Sequence, residues 1–346
     1  MFAGRAGSRI DMNQQPTQTN DTSLSTAVVL CTYNGEAYLL AQLDSLRRQT
    51  RLPDFLVLFD DASSDTTAAM LNAATAEFEA LGVRVHLQVN GRNTGYVRNF
   101  EQAFLAAPAD LLFPCDQDDI WHADKIARMT ACFESDPALD VLHCDANLVD
   151  ADAAPMGRRL FEVLEVTRPE MAAMTQGNAL DVLIKRNVVT GAAMAFRRRV
   201  LDKALPFPAE WAHDEWLALV AALDGRVRTL DEVLIDYRQH ANNQIGVKAR
   251  GVLHKAAGIA GYRKAFLKRM EARYRVLAER AQSMDRLDAA QRARIHDRWA
   301  HAQQRNLGRK PLVVRAPIVA RELARGRYHR YGQGIRSALV DLMGLD

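Results

Sequence analysis

The stretch Thr26–Asp65, TAVVLCTYNGEAYLLAQLDSLRRQTRLPDFLVLFDDASSD, holds a strand, a helix and a second strand, and each strand ends in polar residues. TAVVLCTY (26–33) is an apolar run with β-branched residues, bounded by Asn34-Gly35, and predicts a buried strand. Leu39, Leu40, Leu43 and Leu46 recur at helical spacing until Pro53 intervenes. DFLVLFDD (54–61) is the next strand, followed by the turn ASSD and a helix over 65–80. The pattern repeats with VRVHLQ (83–88) as a strand, VRNFEQAFLAA (97–107) as a helix and DLLFPC (110–115) as a strand. Such alternation predicts an α/β fold with a parallel sheet covered by helices. In such sheets chemistry gathers at the carboxyl ends of the strands. TYN, DDASSD and DQDD each follow directly on a strand, so all three are expected in one crevice.

Further along, a helix is expected from Trp121 to about Phe133, with Asp119 as its cap, and a strand at DVLHCDANLVD (140–150). Residues 151–177 show no clear periodicity and read as a flexible excursion. NVVTGAAMAFRRRVL (187–201) carries Gly191 into an apolar segment, HDEWLALVAAL (213–223) is a helix with a polar start, and EVLIDYRQH (232–240) is the last strand. Residues 250–310 carry helical patterns dense in Arg and Ala. The expected domains are a disordered lead-in (1–24), a catalytic α/β domain (25–249) and a basic helical C-terminal region (250–346).

The chain has 346 residues, is 48% hydrophobic and can fill a core. It has no apolar run long enough to cross a bilayer, and the polar lead-in has no secretory pattern. Cys31, Cys115, Cys132 and Cys144 are too sparse for a disulfide framework and read as small buried residues in a reducing cytoplasm. The net charge of +3 conceals an asymmetry: residues 250–346 hold 22 Lys and Arg against 8 Asp and Glu, leaving the rest acidic. A basic helical region suits an anionic lipid surface or a solvated face. Nucleic acid is not expected as a partner, because neither aromatic interleaving nor zinc-finger spacing is present.

Asp116 and Asp118, one residue apart after a buried strand, can direct oxygen ligands at a hard divalent cation such as Mg²⁺ or Mn²⁺ and leave open positions for a diphosphate. The competing explanation is a helix cap, which accounts for Asp119 well and Asp116 poorly. Asp61, Thr32 and Asn34 suit a nucleobase and ribose, or simply a turn with a cap at Asp65. Asp214 lies at a helix start, either as a first-turn acid or as a general base. There the helix end lowers its pKa and burial raises it. His213 and His240 are open between ligand, substrate contact and packing. Asp110 reads as the solvent-facing start of a strand.

VVLCTYNGEAYL, VLFDDASSDTT, NTGYVRNFE, LLFPCDQDDIWHADKI, GAAMAF, HDEWLALVA and YRQHANNQIG occur in the order seen in family-2 glycosyltransferases. The nearest resemblance is to the rhamnosyltransferase-like subgroup of bacterial surface polysaccharide synthesis. It implies a GT-A fold, a Rossmann-like mixed sheet flanked by helices, and inverting transfer from a nucleoside diphosphate sugar such as dTDP-L-rhamnose to a glycan or lipid-linked saccharide. The implied location is the cytoplasm, at the inner face of the plasma membrane. Position by position, the resemblance implies that Thr32, Asn34 and Asp61 hold the nucleoside, with Asp116 near the ribose and donor sugar. Asp118 is then the metal ligand beside Asp116, and Asp214 is the base. Gly191, His213, Glu215 and Trp216 line the donor and acceptor pocket, with Arg238 and His240 near the phosphates. Two features depart from the subgroup: Glu215 precedes Trp216 where an aromatic is usual, and Pro114-Cys115 replace a Ser or Thr before the first Asp. Two alternatives stand beside this reading: a nucleotidyltransferase, disfavoured by the lack of a Gly-rich basic loop after the first strand, and a catalytically silent sugar- or nucleotide-sugar-binding protein.

Overall fold

The computed structural model describes residues 23–223, 226–241, 259–285, 287–307 and 310–344. Most of the expected lead-in and the NNQIG end of the last motif (242–246) lie outside the described residues. The first half consists of β1 (Thr26–Thr32), α1 (Leu39–Arg47), β2 (Phe55–Asp60), α2 (Thr67–Ala80), β3 (Arg84–Val89), α3 (Tyr96–Ala106) and β4 (Leu111–Cys115). Next come β5 (Ile120–Trp121), α4 (Lys125–Ser135), β6 (Val141–Val149), β7 (Pro155–Arg159), α5 (Leu160–Val163), α6 (Arg168–Thr175) and α7 (Ala179–Leu183). β8 (Met194–Arg197), α8 (Leu201–Ala204), α9 (His213–Ala222) and β9 (Val227–Arg238) complete the sheet and its cover. The C-terminal helices are α10 (Ile259–Gln282), α11 (Ala289–Arg305), α12 (Leu312–Ala324), α13 (Arg327–Tyr331) and α14 (Ile335–Met343).

Every residue of β1 and β4 is buried, which is why both read as continuous apolar runs rather than alternating ones. The sheet runs β3-β2-β1-β4-β8-β6-β9-β5, with β7 on β6. β1 lies parallel to both β2 and β4, with Thr32 opposite Asp60 and Leu30 opposite Cys115. That register brings the TYN, DDASSD and DQDD turns out at one edge. Beyond β4 the sheet is mixed: β8 is antiparallel to β4 and β6, while β6 and β9 are parallel. Successive β1 side chains face opposite layers. Val29 joins Phe100, Phe104, Trp216 and Leu217 in one apolar cluster, and Val28 and Leu30 join Leu43, Phe78, Ile126 and Phe133 in the other. Tyr274, Leu277 and Ile295 of α10 and α11 belong to the first cluster, so these helices share the core of the sheet domain.

Several local expectations change. Trp121 lies in β5, which pairs with Ile235 and Asp236 of β9, and the helix begins only at Lys125. Asp119 is therefore no helix cap: it is 1% exposed and its Oδ1 accepts the Arg238 backbone N–H at 2.9 Å. Asp110 keeps its expected place, exposed directly before β4, where the Ser25 N–H and hydroxyl both donate to it. Residues 151–177 are ordered as β7, α5 and α6, elements too short to show a period, and Thr167 with Glu170 forms a capping box on α6. Of the four cysteines, Cys31, Cys115 and Cys144 are buried, Cys132 is partly so, and all are free thiols.

Candidate active site

The first two turns are interlocked. The Thr32 hydroxyl donates to Asp60 Oδ1 at 2.8 Å, and the Ser63 N–H donates to Asp60 Oδ2 at 2.8 Å. Asn34 has a left-handed φ of 47°, which Asn tolerates better than most residues, and its Oδ1 accepts the Ser64 N–H at 2.8 Å. Ala62, at φ 62°, carries backbone strain of about 1 kcal/mol in the same place, the kind of cost that persists where geometry is over-determined. Gln117, between the two acids of the third turn, accepts the Tyr33 N–H at 2.8 Å and donates to the Tyr33 carbonyl at 3.1 Å. A Cβ on Gly35 would lie 2.3 Å from Gln117 Oε1, so a larger residue there would push the Gln117 amide off Tyr33. Asp61 is buried and accepts from the Thr94 N–H and hydroxyl, the Gly95 N–H and the Asn90 amide. Its lone pairs are spent on the β3–α3 turn, leaving it to shape that turn rather than to receive a further donor.

The acids after β4 are differently placed. Asp118 Oδ2 lies 2.7 Å from His240 Nε2, and the Asp118 carbonyl accepts from the Arg238 guanidinium at 2.7 Å. That guanidinium packs 4.9 Å from the Tyr38 ring centre, and Tyr38 lies against His240. Burial, with Asp118 and Asp214 nearby, pushes Asp116 up to about 7. Burial, then Asp118 and Asp116, also holds Asp119 well above the carboxylate range, and its Oδ2 is buried with no hydrogen-bond partner. One cation serves this group from within: Lys125 is fully buried, donates to the Ala192 carbonyl and lies 3.6 Å from the Trp121 ring centre. Burial lowers its pKa, while Cys144, Cys115, Asp119 and Asp116 oppose that shift.

The third element is the start of α9. Asp214 Oδ2 accepts the Gly191 N–H at 2.9 Å, and its Oδ1 accepts the Glu215 N–H at 2.8 Å. Burial nevertheless raises its pKa, so the contest left open between burial and the helix end goes to burial. Gly191 is closely packed, since a Cβ there would lie 3.0 Å from His213 Nε2. His213 is buried, stacked 4.0 Å from the Phe100 ring centre, and burial drives its pKa down to about 3; it is a neutral ring with neither nitrogen hydrogen-bonded. Glu215 pairs with Arg273 of α10 and Tyr96 stands near both acids, so the C-terminal helices reach the rim of the site. Trp216 does not line the pocket: it is fully buried in the core, and its indole N–H donates to the Ala204 carbonyl at 2.8 Å.

The structure thus brings Asp116, Asp118 and Asp214 into one electrostatic neighbourhood, with His240 and Arg238 behind Asp118. Among the described residues no set of three or more His, Cys, Asp or Glu is arranged to hold a metal by itself. The donor set still fits a divalent cation completed by a ligand's own oxygens: carboxylates crowd together, and an oxygen of Asp119 is orphaned beside them. Gln117, Lys125 and Arg273 were not singled out from the sequence. Gln117 sits inside the acidic motif and was open to notice; Lys125 reads as a surface lysine, and the Arg273 pairing spans 58 residues.

Comparison with known proteins agrees with this architecture. The model of glycosyl transferase family 2 matches residues 27–205, just over half the chain. An uncharacterized glycosyltransferase of Nostoc sp. is 27% identical over 244 residues, 68% of this chain and 71% of its own. The dTDP-rhamnosyl transferase RfbG of Shigella flexneri is 25% identical over 223 residues, 63% of this chain and 73% of its own. An uncharacterized protein of Mycobacterium tuberculosis is 25% identical over 221 residues, and the match spans 59% of its length. Among solved structures, S. aureus TarS 1–349 in complex with UDP-GlcNAc superposes with a TM-score of 0.58 at 17% identity, covering 92% of this chain and 91% of that one. That likeness concerns the fold, which is GT-A with C-terminal helices.

Proposed function

The chain belongs to glycosyl transferase family 2, and from that membership we propose that it moves a deoxysugar, L-rhamnose, from its dTDP-activated form to a glycan or lipid-linked saccharide with inversion. The similarity to a dTDP-rhamnosyl transferase supports the donor class. The observation that carries the mechanism is Asp214: both its oxygens are fixed by backbone N–H groups, its basicity is raised by burial, and its charge reaches Asp116. A carboxylate made more basic by burial is suited to taking a proton from a sugar hydroxyl.

In this reading the nucleoside sits over the interlocked first turns. Thr32 and Asn34 hold those turns in shape, and Asp61 acts through the Thr94–Gly95 segment that it ties down. Asp116 and Asp118, with His240 fixing the Asp118 carboxylate, would hold a divalent cation. Bound there, the cation would neutralise the charge developing on the departing diphosphate. Arg238 keeps the Asp118 backbone in place through its guanidinium. Asp214 takes the acceptor proton as the hydroxyl oxygen bonds to C1 and the bond from C1 to the diphosphate breaks. Gly191 orients Asp214; His213, neutral and apolar in its packing, walls the site from below; Glu215, held by Arg273, presents a carboxylate for a sugar hydroxyl.

No helix among the described residues is long and apolar enough to cross a membrane. A lipid-linked acceptor would place the catalytic domain in the cytoplasm at the inner membrane face, with residues 250–346 as the basic region serving that location. The test is release of free nucleoside diphosphate from a panel of UDP-, GDP- and dTDP-sugars with Mn²⁺ or Mg²⁺, with the product anomer read by NMR. Release of dTDP from dTDP-L-rhamnose with inverted product is expected; release from none of the donors would overturn the enzyme reading.

A further inference from the structure

The C-terminal helices carry a surface that the catalytic reading does not use. Ile335, Leu339 and Met343 stand one turn apart on α14, at positions i, i+4 and i+8 of one face, and are 61%, 51% and 57% exposed. Leu312, Val313 and Val314, the whole first turn of α12, are exposed as well. The two sets adjoin, because the Arg315 guanidinium occupies the space beside Gly344, where α14 ends. Apolar side chains exposed in such a group mark a contact surface rather than random scatter.

Within the segment that carries them the charge is almost all of one sign. From Lys310 to Met343 the chain has seven Lys or Arg and only two acids, Glu322 and Asp341. Both acids are turned inward: Glu322 binds His301 and Arg327, and Asp341 binds Arg263, Arg305 and the Tyr328 hydroxyl. Lys310, Arg325 and Arg336 are exposed, and Arg336 directly follows Ile335 on the apolar face. With the acids consumed internally, the segment presents cations and aliphatic side chains together.

We propose that the α12–α14 corner docks on an anionic lipid bilayer, with Leu339, Met343, Ile335 and the Leu312–Val314 turn entering the headgroup region and Lys310, Arg325 and Arg336 meeting lipid phosphates. Aliphatic entry combined with cations is the chemistry of interfacial helices, and a partner protein surface would call for no such uniform sign. The proposal gives the lipid-linked acceptor reading its surface, but the docking chemistry stands on the corner alone.

The test is co-sedimentation of the full chain with vesicles of phosphatidylcholine alone or mixed with phosphatidylglycerol. Wild type is expected to bind the anionic vesicles, more weakly as salt rises. Leu339→Glu with Met343→Glu should reduce partitioning at least tenfold, and Arg336→Glu about fivefold or more, at about 1 kcal/mol for each cation. All three positions are exposed, and an unchanged melting temperature verifies that the variants fold. Wild type remaining in solution with anionic vesicles, or the double variant binding as well as wild type, overturns the proposal. So does a wild-type dimer in sedimentation velocity that the double variant abolishes while vesicle binding is unaffected, since the corner would then join two copies. Nucleoside diphosphate release by the double variant with a soluble acceptor should equal wild type; absence of release in both, with vesicle binding intact, would remove the transferase reading and leave the docking surface standing.

Discussion

Asp341 in the C-terminal helices and Asp119 directly before β5 are nearly equally buried, 3% and 1% exposed, yet their surroundings differ in kind. Asp341 meets two guanidinium groups and a tyrosine hydroxyl, and its neighbour Glu322 meets a histidine and an arginine. Asp119 has one backbone N–H and an orphaned oxygen, and Asp116 and Asp118 add like charge beside it. A buried charge is tolerated when it is paired and costly when it is not. The paired acids tie the five helices α10 to α14 together, whereas the crowded ones follow the fourth strand, at the edge where the first and second strands also end. The second group has the signature of a functional site, held at the expense of stability, and is where the proposed function puts the cation and diphosphate.

Substitutions should separate the two groups. The largest effect is expected from Asp214→Asn, which should lower turnover by about 10²–10⁴-fold while leaving donor affinity within a few-fold, because only the proton acceptor is lost; steady-state rates and donor titration verify this. Next, Asp341→Ala removes the acid that Arg263, Arg305 and the Tyr328 hydroxyl share and should cost about 3–5 kcal/mol of stability by denaturant titration, with the rate per folded molecule retained. Asp116→Asn should do the reverse: a gain of about 1–2 kcal/mol without ligand, and loss of metal-dependent donor binding. If Asp116→Asn and Asp341→Ala shift stability in the same direction, the comparison fails.

The pH dependence follows from the same contrast. The folded Asp116, at about 7, holds a proton that the unfolded chain has already released, so the folded state binds more protons between about pH 4 and 7. Stability therefore falls as pH rises through that window and levels off above it. The stability difference between Asp116→Asn and wild type should accordingly be near zero at about pH 4 and largest above pH 7, as melting curves across pH would reveal. A difference that grows toward acid would refute the assignment.

How much of this was legible beforehand depended on the range of the interaction. The α/β frame, the edge shared by TYN, DDASSD and DQDD, and the α9 acid were readable because buried parallel strands are continuous apolar runs and their register aligns their ends. The role of Asp119 was misread because β5 is only two residues long and pairs with a strand more than a hundred residues later. The order of residues 151–177 was hidden by elements of four to eight residues, too short for a period to emerge. Lys125, Arg273 and the core placement of Trp216 depend on tertiary packing that no local pattern encodes.

The central claim is that Asp116, crowded by Asp118 and Asp214, destabilises the free fold and serves the proposed cation and diphosphate. It is tested most directly by the melting temperatures of wild type and Asp116→Asn at pH 7.5, each alone and with Mn²⁺ and dTDP. The account predicts that the variant melts higher alone, and that only wild type gains on adding Mn²⁺ with dTDP. A variant that melts lower alone, or that gains as much as wild type from the pair of ligands, would contradict it.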